Sequence, residues 1–151
     1  MNGKGNIHLN GPVEVVFEKL RDPEVLQACI MGCQKMERVG ENRYTADLAI
    51  GIASVKGKYK ADISLEDIEA PRHFKLVLHG KGAPGFVDAE GVLDLTPHGE
   101  QTTDLAYTYQ AEVGGKIAAV GQRMLGGVSK LIIKDFFKKI KKEMEKSQKS
   151  A

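Results

Sequence analysis

The stretch Val55-Lys56-Gly57-Lys58-Tyr59-Lys60-Ala61-Asp62-Ile63-Ser64-Leu65-Glu66 alternates without a break. Val55, Gly57, Tyr59, Ala61, Ile63 and Leu65 fall on one side, and Lys56, Lys58, Lys60, Asp62, Ser64 and Glu66 on the other. A period of two places successive side chains on opposite faces, so this is a strand with one buried and one wet face. Residues 43–52 repeat the pattern, with Tyr44, Ala46, Leu48, Ile50 and Ile52 against Arg43, Thr45 and Asp47. Residues 103–113 do so again through Leu105, Tyr107, Tyr109, Ala111 and Val113. Weaker strands are expected at 34–39, 74–82 and 87–95, and Ile7 and Leu9 suggest a short first strand. Turn signals separate them at Gly40-Glu41-Asn42, Ala70-Pro71-Arg72, Ala83-Pro84-Gly85 and Pro97-His98-Gly99. Such short connections favour an antiparallel sheet, because parallel neighbours need crossovers of about a dozen residues.

Helices flank these strands. Gly11-Pro12 precedes Val13, Val16, Phe17 and Leu20 at helical spacing, and Asp22-Pro23 supplies an N-cap and a first-turn proline for a second short helix. Residues 115–146 read as one long helix, with Ile117, Met124, Val128, Leu131 and Ile132 as its apolar stripe. A one-faced sheet must bury its apolar side, and only this helix is long enough to cover it. The expected fold is α+β: a curved seven-stranded antiparallel sheet around a long C-terminal helix, with two short helices after strand 1. Residues 1–146 form one domain, and 147–151 form a polar tail.

Composition narrows the function. The 151 residues carry 22 basic and 20 acidic side chains, a net charge of +2, which is too even for a nucleic-acid binder. The longest uncharged run, 25–34, falls far short of the ~20 residues of a membrane span. The N-terminus has no apolar signal-peptide core, so the cytoplasm is the expected compartment. Cys29 and Cys33 have C-x3-C spacing, unlike a zinc ribbon or a thioredoxin-like site, and read as reduced, packed thiols. The four histidines are scattered, and no metal site is expected. No nucleophile elbow, phosphate loop or HExxH motif is present, so no catalytic residue is assigned.

Glycine and tyrosine placement points to a ligand instead. Gly121, Gly126 and Gly127 lie within the expected helix, where each costs roughly 0.8–1 kcal/mol against alanine. Either the helix packs closely on the sheet there or kinks at Gly126-Gly127, or small residues leave space between helix and sheet. The inward sheet face also mixes Ala46, Gly57, Ala61, Ala89, Gly91 and Ala111 with Tyr44, Tyr59, Tyr107 and Tyr109. Small residues on both walls predict an apolar tunnel, lined by Tyr59, Ile63, Leu76, Leu78, Tyr107, Tyr109, Ile117, Val120 and Met124. Phe86, beside Ala83-Pro84-Gly85, is expected on a mobile loop at its mouth.

Charge is unevenly spread. Residues 130–151 hold eight lysines and three acids, a net +5, while the rest carries −3. Beyond residue 132 the apolar residues (Ile133, Phe136, Phe137, Ile140, Met144) move to a stripe rotated by roughly 130°, bordered by Lys134, Lys138 and Lys141. This stripe either packs on the short helices or meets an anionic membrane surface or partner through Phe136, Phe137 and Ile140.

Several segments together carry a resemblance. They are Asp22-Pro23-Glu24-Val25-Leu26, Cys29-Ile30-Met31-Gly32-Cys33, Val55-Lys56-Gly57-Lys58-Tyr59 and Gly82-Ala83-Pro84-Gly85-Phe86. The longest is Val113-Gly114-Gly115-Lys116-Ile117-Ala118-Ala119-Val120-Gly121-Gln122-Arg123-Met124-Leu125. In this order the chain resembles the carbon monoxide dehydrogenase CoxG family, a START-like helix-grip family related to polyketide cyclases. Where that family often has Ile-Pro-Gly-Cys, this chain has Ile30-Met31-Gly32-Cys33. The C-terminal membrane segment of some members is missing here, so permanent anchoring is not expected. The resemblance implies a helix-grip fold and a non-catalytic accessory to molybdenum-containing dehydrogenases. It also implies peripheral contact with the inner face of the membrane and a bound quinone or lipid rather than a required cofactor. The alternatives are a cyclase or hydratase using Tyr59 or Tyr109 as acid/base, and a pure assembly factor.

Overall fold

The computed structural model describes residues 1–150, with side chains to Lys146. Seven strands form one antiparallel sheet: β1 (Asn2–Asn10), β2 (Cys33–Gly40), β3 (Arg43–Ile50), β4 (Gly57–Glu69), β5 (His73–Gly82), β6 (Gly85–Pro97) and β7 (Thr102–Gly114). Their order is β1-β7-β6-β5-β4-β3-β2, so every neighbouring pair except β1–β7 is consecutive in the chain. Helices α1 (Val13–Lys19) and α2 (Pro23–Cys29) follow β1, and α3 (Gln122–Ser150) ends the described chain. This is the α+β architecture expected from the alternating pattern. The Asp22 carboxylate caps α2 by accepting from the Glu24 N–H at 2.9 Å, with Pro23 at the first helical position. Helix α3 continues through residues 147–150, where a polar tail was expected; Ala151 lies outside the described residues.

Two boundaries differ from the sequence pattern. Strand β1 begins at Asn2, well before Ile7. Its inward positions 3 and 5 are glycines and leave no alternating signal. They stand opposite Tyr109 and Tyr107, and a Cβ on Gly3 would come within 2.6 Å of the Tyr109 ring. The tyrosine rings occupy the space that side chains on β1 would need. The long helix is also interrupted. A 3-10 turn at Lys116–Val120 precedes α3, bounded by Gly115 (φ +80°) and Gly121 (φ +96°). Both lie in the left-handed region that favours glycine, so these two glycines redirect the chain rather than extend a helix.

The main core fills one end of the molecule. Leu9, Val16, Phe17, Phe74, Leu95 and Leu105 join Ile140 and Met144 in a fully enclosed cluster. Helix α3 packs there against α2 and β1. Phe137 stacks on Tyr107 with 5.1 Å between ring centroids. Phe137 and Ile140, two of the three apolar residues expected to contact a membrane or partner, are therefore buried core residues. Phe136 is partly buried against the same cluster, and Lys134, Lys138 and Lys141 are exposed around it. The second stripe of α3 packs on its own domain. The first stripe carries less of the burial: Met124 is 55% and Leu131 50% exposed.

Candidate functional site

The other end of the sheet is thinly filled. A small cluster of Val55, Ile117 and Leu125 is joined there by partly buried Ile50, Ile52, Tyr59, Val87, Val113, Val120 and Val128. Between this cluster and the main core, the sheet presents small inward residues. Leu78 stands opposite Ala89, and Ala89 opposite Ala111; Leu76 stands opposite Gly91, and Gly91 opposite Tyr109. A Cβ on Gly80 or Gly91 would meet no atom closer than 3.7 Å, so neither glycine is forced by a neighbour.

Helix α3 answers with space of its own. The Tyr109 and Ser129 hydroxyls lie 3.1 Å apart, and Ser129 also donates to the Gly126 carbonyl at 3.0 Å. These bonds hold the turn carrying Gly126 over β7. Gly126 is partly buried, yet an added Cβ would touch nothing within 4 Å, and the same holds for Gly127. Close packing on the sheet therefore does not account for Gly126 and Gly127.

The expected tunnel wall sorts into separate groups. Ile63 is buried in the main core, and Leu76, Leu78 and Tyr107 pack on it from the inward sheet face. Ile117 and Tyr59 belong to the smaller cluster. Val120 and Met124 line a groove of about 580 Å³ with Ile52, Ser54, Arg123, Val128 and Leu131. Tyr59 also borders a cleft of about 650 Å³ that opens beside Lys58, Lys60 and Lys81. Phe86 is not on a loop: it lies in β6 opposite Gly114, its ring over that glycine on the outer face, 44% exposed. The residues preceding it form the turn. Ile52 and Ser54 were not among the expected wall residues, because a 3-10 turn at Ala53–Val55 separates β3 from β4 and carries them to the groove. The break in period two after Ile52 is the only signal of it.

The partly buried polar groups of the site include the tyrosine phenols and the Ser129 hydroxyl. Tyr59 donates to the Val55 carbonyl at 2.6 Å. Burial raises the pKa of both Tyr59 and Tyr107, with the Tyr109 phenol adding to the effect on Tyr107. Both stay protonated at neutral pH, suited to donating hydrogen bonds and poorly matched to general-base work. Burial likewise pushes the Cys29 thiol up to about 11, aided by Glu143. Both cysteines are free thiols. Among the described residues, no cluster of histidine, cysteine and carboxylate side chains is arranged to hold a metal ion, and no helix is long and apolar enough to cross a membrane.

A curved antiparallel sheet gripping a C-terminal helix defines a START-like helix-grip protein. Solved structures agree. A START superfamily protein from Mycobacterium smegmatis superposes with a TM-score of 0.77 at 11% identity, covering 96% of this chain and 97% of that one. An aromatase/cyclase from a Streptomyces species gives 0.72 at 16% identity, over 96% and 93%. The chain belongs to the carbon monoxide dehydrogenase CoxG family, whose model matches residues 5–145. A conserved protein from Geobacillus kaustophilus is 62% identical, with a TM-score of 0.93 over 97% of both chains. Among curated proteins, none matches.

Proposed function

We propose that this chain is a non-catalytic binding module for a long apolar ligand, a quinone or lipid, serving a molybdenum-containing carbon monoxide dehydrogenase-type enzyme at the inner face of the membrane. The observation that carries the reading is the unfilled space at Gly126, a partly buried helix position whose Cβ would meet nothing. On the inward sheet face Ala89, Gly91 and Ala111 are small, as a wall that leaves room for a ligand would be. Leu76, Leu78, Val120 and Met124 would supply apolar contact, and Tyr107 or Tyr109 a hydrogen bond to a quinone carbonyl or ester oxygen. Family membership supports the accessory role.

The test is solvent extraction and mass analysis of the purified protein, followed by titration of the delipidated protein with menaquinone and with phospholipid in detergent, read by native mass spectrometry. A stoichiometric apolar ligand is expected. Gly126→Leu should fill the space and weaken binding at least tenfold while leaving the melting temperature within a few degrees. Failure of the unmodified protein to bind either probe overturns the reading.

A further inference from the structure

Each tyrosine on the inward sheet face carries one hydroxyl proton, and the group that receives it decides what a ligand meets. Tyr44 gives its proton to the Arg21 carbonyl at 2.6 Å, and Tyr59 gives its proton to the Val55 carbonyl at 2.6 Å. Tyr109 and Ser129 share one hydrogen bond at 3.1 Å, and the next bond along fixes its direction. Ser129 donates to the Gly126 carbonyl at 3.0 Å, and a serine hydroxyl has only one proton. Tyr109 is therefore the donor to Ser129 Oγ. A phenol, more acidic than an alkyl hydroxyl, is also the better donor of the two.

The chain thus runs from the Tyr109 hydroxyl through the Ser129 hydroxyl to the Gly126 carbonyl. In such a chain each bond polarises the next, which leaves the first oxygen, on Tyr109, a strengthened acceptor. The cross-strand neighbours of Tyr109 are Gly3 and Gly91, and those of Tyr107 are Gly5 and Leu93. None of these offers a polar side chain. Among the described residues the Tyr107 hydroxyl has no hydrogen-bond partner, so its proton remains available. The chain ends on Gly126, where an added Cβ would meet nothing within 4 Å. Its polar atoms therefore lie beside unfilled space rather than within the packed core.

We infer that Tyr109 is held as a hydrogen-bond acceptor, and that the grip selects apolar ligands ending in a hydroxyl, as in a phenol, a hydroquinone or a long-chain alcohol. A hydroxyl can donate to Tyr109. A ketone, ester or ether oxygen can only accept, which suits Tyr107 but leaves the Tyr109 oxygen desolvated and unpaired. An acceptor stranded in this way costs more than an ordinary hydrogen bond gains. Ser129 is a positioning residue, which sets the direction of the Tyr109 proton without having to touch the ligand. The inference rests on the apolar-ligand reading and specifies the chemistry of the end that the grip holds.

Titration of the delipidated full chain in detergent with para-dodecylphenol and with its methyl ether tests it. The two probes share ring and tail and differ in one donor. The phenol should bind about fivefold more tightly, the worth of one neutral hydrogen bond. Tyr109→Phe should abolish that preference by weakening the phenol and sparing the ether. Ser129→Ala should abolish it in the opposite way. The freed Tyr109 proton becomes available to the ether oxygen, and ether binding strengthens. A penalty caused only by the extra methyl group would survive in both variants. Persistence of the preference in either variant therefore overturns the inference, as does equal binding of the two probes by the parent chain. Binding of neither probe overturns the ligand reading as well, so the two failures are distinct. Far-ultraviolet circular dichroism confirms that both variants are folded.

Discussion

The two ends of α3 meet the same sheet in opposite ways. At the C-terminal end Ile140 and Met144 are wholly inaccessible, Phe137 stacks on Tyr107, and α2 covers what the sheet does not. At the N-terminal end Met124 and Leu131 are half exposed, and Gly126 and Gly127 face unfilled space. Leaving apolar surface uncovered forgoes roughly 25 cal/mol per Å². One helix thus carries closely packed turns at one end and under-packed turns at the other. The comparison breaks most visibly if the two ends respond alike to truncation. Ile140→Ala should cost about 2–5 kcal/mol, because the surrounding core cannot collapse onto the deleted methyl groups. Met124→Ala should change stability by no more than about 0.5 kcal/mol. Urea unfolding of both variants decides it, and equal losses would mean that the open end is as tightly packed as the closed one.

Glycines sharpen the same contrast on a smaller scale. Gly5 lies under the Tyr107 ring, with its would-be Cβ 2.6 Å from Cζ, and Tyr107 is backed by Phe137. Gly5→Ala should destabilise by about 1–3 kcal/mol, since the ring cannot withdraw. Gly126→Ala should do the reverse and stabilise by up to about 1 kcal/mol, the ordinary helix preference for alanine with no contact to oppose it. Thermal unfolding gives both signs. Destabilisation by Gly126→Ala would show that the space is filled in solution.

These glycines also mark what the sequence could and could not disclose. Alternation located β3, β4 and β7 because each has one buried and one solvated face, and a period of two records that directly. It was blind at β1, where Gly3 and Gly5 replace the apolar residues and the evidence for inward placement sits on β7 instead. Helical spacing identified two apolar stripes on α3 and the shift between them near residue 133. Periodicity says which residues share a face but not what that face meets. The aromatic, lysine-bordered stripe thus left two readings open, the domain's own short helices or a membrane or partner surface, and α2 and β1 enclose it. Gly115 and Gly121 read as members of a small-residue helix, since no sequence pattern reports a positive φ. The sequence also did not show that Lys58, Lys60 and Lys81 share one cleft, because they come from two strands that only the fold pairs, whereas the lysines near the C-terminus are close in sequence.

The smallest effect should come from the outer face, where neither end of the grip is involved. Cross-strand pairing sets His73 opposite Asp94, with Nδ1 2.6 Å from the carboxylate. The hydrogen bond to Asp94 raises the His73 pKa above 6.5, and Glu69 and Asp67 act in the same direction. A histidine whose pKa is higher in the folded state stabilises the fold below the unfolded value, and that contribution is lost as pH rises through the folded value. Asp94 is 60% exposed, so solvent screens the pair and the contribution is small. The melting temperature of the parent chain should exceed that of Asp94→Asn at about pH 6 and converge with it by about pH 8.5, where the histidine is neutral. Because the pair sits outside both ends, Asp94→Asn should leave ligand affinity and ligand stoichiometry unchanged at either pH. A shift in either would mean that the outer face is coupled to the grip, and that the division between a closed end and an open end does not describe the whole molecule.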